Sequence, residues 1–165
     1  MSADGGRGYL SWFDTDPYAD YIDPHMNFLP ALKELVRAYQ AFEAYSGPHV
    51  RSMGLSSVQF DVIATLANQP PMSFKELSAK TLITKTSLTG VVERMVQNGF
   101  VTLSANKEDG RSQLIKLTAK GQKTFEKVFP EHLKHLEKAF SKLTNQELKS
   151  TQAVLSSLKN IFRGE

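Results

Sequence analysis

The stretch from Ser73 to Gly99 constrains the fold most, because its capping residues define two helices that lie only a few residues apart. Ser73 followed three residues later by Glu76 is a capping box, which predicts a helix that runs to Lys80. Thr84 supplies the hydroxyl for a second helix start, and Gly99 is suited to end that helix in a left-handed conformation. The spacing predicts a helix-turn-helix.

The second of these helices has two chemically different faces. Its apolar residues recur three and four positions apart, which predicts a face packed on a small core. Short hydroxyl side chains and cations occupy the opposite face, and a helix that enters the major groove of DNA needs such groups. A solvated helix surface can look similar, so this face alone leaves both interpretations open. The residues on the polar face that we expect to contact DNA are Lys85, Thr86, Thr89 and Arg94.

A predicted β-hairpin follows directly. Residues 100–105 alternate between apolar and polar, residues 106–110 (NKEDG) form a turn cluster, and residues 111–117 alternate again. A hairpin placed after a helix-turn-helix is the winged-helix arrangement, whose loop tip can follow the DNA backbone or the minor groove. Lys107 is the cation at the predicted tip.

The runs 76–101 and 108–121 resemble the MarR family of winged-helix transcriptional regulators, and the resemblance extends over roughly residues 55–121. The family has a wing signature of Asp-x-Arg, then a strand, then Leu-Thr-x-x-Gly, which is matched here by Asp109, Arg111, Leu117, Thr118 and Gly121. The resemblance implies that Asp109 and Arg111 pair to hold the wing, and direct phosphate contact by Arg111 remains the alternative. Residues that depart from common family choices are Leu82, Gly90 and Glu108.

Composition and charge exclude several kinds of protein. With 165 residues the chain is long enough for one domain with extra helices, and it has no long apolar run, so we expect a soluble, cytoplasmic protein without a membrane segment. The absence of cysteine excludes disulfides, thiolate metal sites and cysteine-based peroxide sensing. The net charge is only +3, but residues 1–26 carry one arginine against five aspartates, so the remainder is basic. We therefore expect DNA affinity that falls with salt.

The ends of the chain predict association. Residues 1–26 form an N-terminal extension that begins Gly-rich and partly mobile, then becomes aromatic and acidic; packing on the body is one interpretation, and a lid over a ligand site is another. A helix begins near Asn27 and is expected to end at Ser46–Pro48. Two helices after the wing, the second started by the Thr144–Glu147 capping box, carry apolar seams that one small domain cannot cover.

The predicted fold is mainly α with a small β-hairpin wing. Residues 55–117 form the winged helix-turn-helix, and residues 27–54 and 118–165 form a helical dimerisation region. The family resemblance implies the same homodimer. It also implies a small aromatic or acidic effector, for which the candidate contacts are Tyr39, Tyr45, His49 and Arg51.

The expected function is a DNA-binding regulator that represses as a homodimer on a pseudo-palindrome in double-stranded DNA and is released by the effector. Ser73 and Thr84, at the two helix starts, add candidate phosphate contacts. No cofactor is expected. His132 and His135 are three residues apart, a spacing that can chelate a metal, but no third ligand is apparent and no metal site is predicted.

Two other functions compete with this interpretation. An enzyme is not expected, because the sequence lacks a phosphate-binding Gly loop, a Gly-x-Ser-x-Gly elbow and a His-Glu-x-x-His helix. The remaining alternative is a winged helix that binds another protein instead of DNA and uses the aromatic N-terminal stretch as its contact surface.

Overall fold

The computed structural model describes residues 27–81, 83–106 and 112–164, with only the backbone of Lys85. The N-terminal extension 1–26, Leu82 and residues 107–111 lie outside the described residues, as does Glu165. The chain divides into two compact units, 1–45 and 46–165.

The first helix is longer than the sequence predicts. Helix α1 spans Leu29–Ser52 and contains Pro48, so the expectation that Ser46–Pro48 would end it is wrong. Proline removes one backbone donor and usually disrupts a helix interior. Here the extra residues are held by burial, because Ser46, Gly47 and Val50 are all buried in the second unit.

Three successive helix starts use side-chain caps. Helix α2 (Ser57–Leu66) begins with a Ser56–Gln59 capping box, which the sequence analysis did not identify. Helix α3 (Phe74–Lys80) begins with the predicted Ser73–Glu76 box, and α4 (Lys85–Gln97) begins at Thr84, whose side chain accepts a hydrogen bond from the Ser87 backbone amide. Gly99 has the predicted positive φ, 71°. The helix-turn-helix is therefore confirmed.

The wing has a third strand that was not predicted. Strands β2 (Val101–Ala105) and β3 (Gln113–Leu117) form the expected antiparallel hairpin, with Leu103 opposite Ile115. Strand β1 (Met72–Ser73) pairs antiparallel with β3 on its other side, which gives the order β1-β3-β2. This pairing fixes the start of α3 to the base of the wing.

Two helices complete the chain. Helix α5 (Ala119–Phe140) is capped by Thr118, and α6 (Asn145–Arg163) is capped by the predicted Thr144–Glu147 box. Among the described residues, no helix is both long and apolar enough to cross a lipid bilayer.

One hydrophobic core unites the winged helix with the start of α5. Its fully buried members include Val62 and Ile63 from α2, Leu88 and Met95 from α4, and Ile115 from β3. Val50 of α1 and Val128 of α5 belong to the same core. The orientation of α4 is therefore set by the end of α1, by α2 and by α5 together.

Candidate nucleic-acid interface

Helix α4 separates its core face from its polar face as the sequence predicts. Leu88, Val92 and Met95 are completely buried. The polar face is exposed, and it carries Thr86 and Thr89 near the start of the helix and Arg94 further along. The structure thus leaves accessible the described side chains that the sequence analysis assigned to DNA on this helix. The side chain of Lys85 lies outside the described part of the chain.

The first turn of α4 contains a pair of hydroxyl side chains, of which only Thr84 was predicted from the sequence to contact DNA. Thr84 Oγ1 donates a hydrogen bond to Ser87 Oγ at 3.0 Å and accepts one from the Ser87 amide at 3.4 Å. Both residues are exposed. Ser87 was missed as a candidate contact, although its position three residues after the cap was the available signal. The pair presents two adjacent hydroxyls at the positive end of a helix, where a phosphate binds readily.

Gly90 leaves room for Arg94 on the polar face. A Cβ atom built on Gly90 would lie 3.8 Å from a guanidinium nitrogen of Arg94, one helical turn later. The guanidinium therefore lies back along the helix toward its N-terminal half. This concentrates positive charge near the hydroxyl-bearing turn, although exposed Glu93 adds one negative charge to the same helix.

Ser73 is already engaged in its capping box. Its amide and its hydroxyl both donate to Glu76 Oε2, at 2.8 Å and 2.7 Å. The hydrogen bond from the Ser73 backbone amide, and then the one from its hydroxyl, hold the pKa of Glu76 below its ordinary value. A phosphate contact by Ser73 remains a prediction, and it would have to form beside an ionised carboxylate.

Two hydrogen bonds between Asn106 and Ser112 join the two strands of the wing just before its tip. The Asn106 amide donates to the Ser112 carbonyl at 3.1 Å, and Asn106 Nδ2 donates to Ser112 Oγ at 3.0 Å. The predicted tip cation Lys107 and the predicted wing pair Asp109 and Arg111 lie outside the described residues. Their assignments stay predictions.

The end of α4 is tied to the start of α5 by contacts that sequence spacing alone does not reveal. Thr118 Oγ1 donates to the Gly99 carbonyl at 2.6 Å, and the Thr118 amide donates to the Phe100 carbonyl at 3.0 Å. Lys120 Nζ donates to the carbonyl of Asn98, the C-cap of α4, at 2.7 Å. A Cβ on Gly121 would lie 2.1 Å from the Phe100 carbonyl oxygen, so only glycine allows this approach.

A cavity of about 740 Å³ lies beside this link. Its wall combines three α5 lysines with apolar side chains, and Glu131 stands on the same wall. The lining residues are Ser52, Met53, Gly54, Leu55, Phe100, Ala119, Lys120, Lys123, Thr124, Lys127, Val128 and Glu131.

None of the four residues predicted to contact an effector lines this cavity. Tyr39 and Tyr45 are exposed and belong to the first unit, whereas His49 and Arg51 belong to the second. Arg51 is exposed, and one of its guanidinium nitrogens would lie 3.1 Å from a Cβ on Gly47. The assignment of these four residues to an effector stays a prediction.

Three of the four histidines meet where the end of α1 contacts α5. His49 Nδ1 and His132 Nδ1 are 3.1 Å apart, and the rings of His49 and His135 stack with their centroids 4.0 Å apart. His132 is only 3% exposed, and its Nε2 lies 3.2 Å from Ser46 Oγ. No group of three or more His, Cys, Asp or Glu side chains within the described ranges is placed to hold a metal ion.

Burial is the main cause of the altered acidity of two of these rings. It lowers the pKa of His132, and the positive charge of His49 and then His135 lowers it further. Burial also lowers the pKa of His49, followed by the charge of His135. Glu131 raises the pKa of His49 and Lys138 lowers it, both by smaller amounts.

Comparison with known proteins agrees with this architecture. The MarR family model matches residues 55–113. The homoprotocatechuate degradative operon repressor of Escherichia coli is 32% identical over 94 residues, which are 57% of this chain and 64% of that protein.

Two solved structures share the fold. Sco3205, a MarR family transcriptional regulator from Streptomyces coelicolor solved in complex with DNA, has a TM-score of 0.74 and 23% identity over 79% of this chain and 84% of its own. NadR in complex with 4-hydroxyphenylacetate has a TM-score of 0.67 and 23% identity over 83% of this chain and 95% of its own. The MarR family model thus matches the winged-helix region of this chain, and the chain shares its fold with these solved structures.

Proposed function

We propose that the chain represses transcription as a homodimer that places its two α4 helices in successive major grooves of a pseudo-palindromic operator, and that a small acidic effector releases it. The observation that carries the proposal is the exposed polar face of α4, which presents hydroxyls and a guanidinium while the opposite face is buried in the core. Small side chains at the helix start allow the backbone to come close to base edges.

Cations around α4 support phosphate contact. Lys75 and Lys80 on α3 and Lys116 on β3 are exposed, in addition to Arg94. Each phosphate neutralised by such a side chain releases counterions, which makes affinity fall with salt. A handful of contacts per subunit is consistent with the modest net charge of +3.

Exposed apolar side chains on α5 and α6 support the homodimer. Val154, Ile161 and Phe162 of α6 are 60%, 67% and 69% exposed, and Leu133 and Phe140 of α5 are each 49% exposed. Burying a large apolar side chain contributes roughly 1.5–3 kcal/mol. A second copy of the chain, with the same apolar helices, would cover these faces, and a dimer also doubles the basic surface presented to DNA.

The DNA proposal is tested by fluorescence anisotropy with the duplex upstream of the protein's own gene. We expect tight binding to this duplex, and weaker binding by Arg94→Ala and Lys85→Ala. Lys142→Ala is the matched control, because it removes the same charge from the exposed turn between α5 and α6. Equal affinity for a random duplex at moderate salt contradicts the proposal, as does an equal loss in the control.

The cavity beside Lys120 supports the effector step. Its three lysines fit a carboxylate, and Leu55, Phe100 and Val128 supply apolar contact for a ring. Lys120 also holds the C-cap carbonyl of α4, so an anion that recruits this ammonium competes with the link that positions the DNA-binding helix. The NadR complex shows that a protein of this fold accommodates 4-hydroxyphenylacetate.

The effector step is tested by adding aromatic acids, 4-hydroxyphenylacetate first, to the protein–DNA complex. We expect at least one such acid to release the DNA, and Lys123→Ala with Lys127→Ala to raise the concentration required. If the double variant responds at the same concentration as the unaltered protein, the effector does not use this cavity.

A further inference from the structure

We propose that His49 and His132 form a proton-responsive joint between the end of α1 and α5. The pair takes up one proton with its hydrogen bonds intact, whereas a second proton forces the two rings apart. Acidification therefore weakens DNA binding. The proposal adds a form of regulation to the proposed function and rests on it for its effect on DNA. The joint itself is independent of DNA.

The first proton fits the observed geometry. In a neutral pair, one Nδ1 carries hydrogen and donates across the 3.1 Å contact, and the other accepts. His132 Nε2 and Ser46 Oγ form the second hydrogen bond, at 3.2 Å. A single added proton on either ring leaves one Nδ1 free to accept, so both hydrogen bonds survive.

The second proton does not fit. With both rings charged, both Nδ1 atoms carry hydrogen, and two donors face each other at 3.1 Å without an acceptor between them. The like charges also repel inside a site where His132 is 3% exposed. The two rings must therefore separate, and each charged ring can then form hydrogen bonds with water.

The surroundings favour the neutral state. From α2, the Phe60 ring meets His132 edge-on at 4.8 Å and offers no charge. From α5, His135 stacks on His49, while Glu131 attracts and Lys138 repels a proton on that ring. Burial, the largest cause, lowers the pKa of both His49 and His132.

Opening the joint would reach the DNA-binding helix through the core. Val50 follows His49 on α1, Val128 lies one turn before His132 on α5, and both belong to the core that holds α4. Separation of the two rings therefore loosens the packing behind the recognition helix. If only about a fifth of the protein remains closed, the apparent dissociation constant for DNA rises about fivefold.

The direction in which DNA affinity changes with pH distinguishes opening of the joint from the effect of added histidine charge alone. Protonated histidines add positive charge, which by itself strengthens binding to DNA as pH falls. The joint predicts the opposite, a loss of affinity below pH 6.5, the ordinary histidine value.

The test measures DNA affinity by anisotropy at pH 7.5 and pH 5.5 and compares the ratio of the two dissociation constants among variants. We expect the unaltered protein to bind DNA about fivefold more weakly at pH 5.5 than at pH 7.5, which is the loss that follows if about a fifth of it stays closed. His49→Gln, which leaves one titrating ring and an acceptor opposite it, should show a ratio near one. Lys142→Ala, in the exposed turn between α5 and α6, is the control and should keep the unaltered ratio.

A second measurement needs neither DNA nor a variant. NMR titration of the histidine ring protons should show two rings with pKa values below 6.5 that influence each other. Two independent rings at the ordinary value overturn the proposal, as does a His49→Gln ratio equal to that of the unaltered protein or tighter binding at pH 5.5. Failure to bind DNA at any pH contradicts the proposed function instead, and the NMR titration then decides the joint.

Discussion

Replacement of Gly121 by alanine tests the link between α4 and α5. The added Cβ would lie 2.1 Å from the Phe100 carbonyl oxygen, and ordinary contact begins near 3.4 Å, so the backbone must move by about 1.3 Å. Overpacking of this kind costs about 1–3 kcal/mol. The movement also weakens the hydrogen bonds from Thr118 to Gly99 and Phe100, each worth about 1 kcal/mol. We expect a net loss of about 3 kcal/mol.

The matched control is Gly90→Ala. This glycine also lies inside a helix, but a Cβ there meets only Arg94, at 3.8 Å. Alanine is favoured over glycine in a helix interior by about 1 kcal/mol, so the control should be slightly more stable than the unaltered protein. Only the close backbone approach distinguishes the two substitutions.

Thermal unfolding followed by circular dichroism measures both variants. For a chain of this size, 1 kcal/mol corresponds to about 2–4 °C in Tm, so Gly121→Ala should melt about 6–12 °C lower. The reasoning is refuted if Gly121→Ala is as stable as the unaltered protein, or if both glycine variants change stability in the same direction.

Three further outcomes follow from the structure. Phe162→Glu should convert the proposed dimer to a monomer, because it places a charge on an exposed apolar face. Light scattering at micromolar concentration measures the molecular mass, and an unchanged mass would show that α6 is not part of the dimer interface. The pKa values of Glu76 and Glu147 lie below the ordinary 4.5 because backbone amides donate hydrogen bonds to them. Their helix caps should therefore stabilise the fold fully above pH 4.5 and lose that effect as the pH falls below it. Helix content that stays unchanged under acid would contradict this. Ser56→Ala should cost about 1 kcal/mol in urea unfolding by loss of a cap, and an unchanged midpoint would show that the cap contributes nothing.

Local sequence signals predicted the local structure well. The capping boxes at Ser73 and Thr144, the N-cap at Thr84 and the left-handed Gly99 are all where the sequence placed them. Each depends on residues no more than four positions apart, so no knowledge of distant contacts was needed.

The features that were missed depend on distant contacts. Strand β1 has only two residues and exists because β3 lies beside it, so no alternating pattern could reveal it. Helix α1 continues through Pro48 because residues on both sides of the proline, Ser46 and Gly47 before it and Val50 after it, are buried by distant parts of the chain. His49 and His132 are 83 residues apart, and their meeting depends on how α1 and α5 pack.

In the candidate site, too, the features that depend on nearby residues were predicted and those that depend on distant contacts were not. The exposed polar face of α4 follows from its periodicity, and the structure agrees for the three described residues. The role of Gly121 was visible only as part of a family signature, because the chain position of a glycine does not show what approaches it. The cavity beside Lys120 combines residues from the end of α1, from Phe100 and from α5, so spacing along the chain could not identify it.

A footprint on the operator is the most direct test of the claim that the two α4 helices of one dimer bind the same duplex. Methylation interference with the duplex that binds most tightly should reveal two symmetric major-groove patches about one helical turn, 10–10.5 base pairs, apart. Both patches should weaken together in Arg94→Ala. A single patch, or two patches without twofold symmetry, would contradict the account.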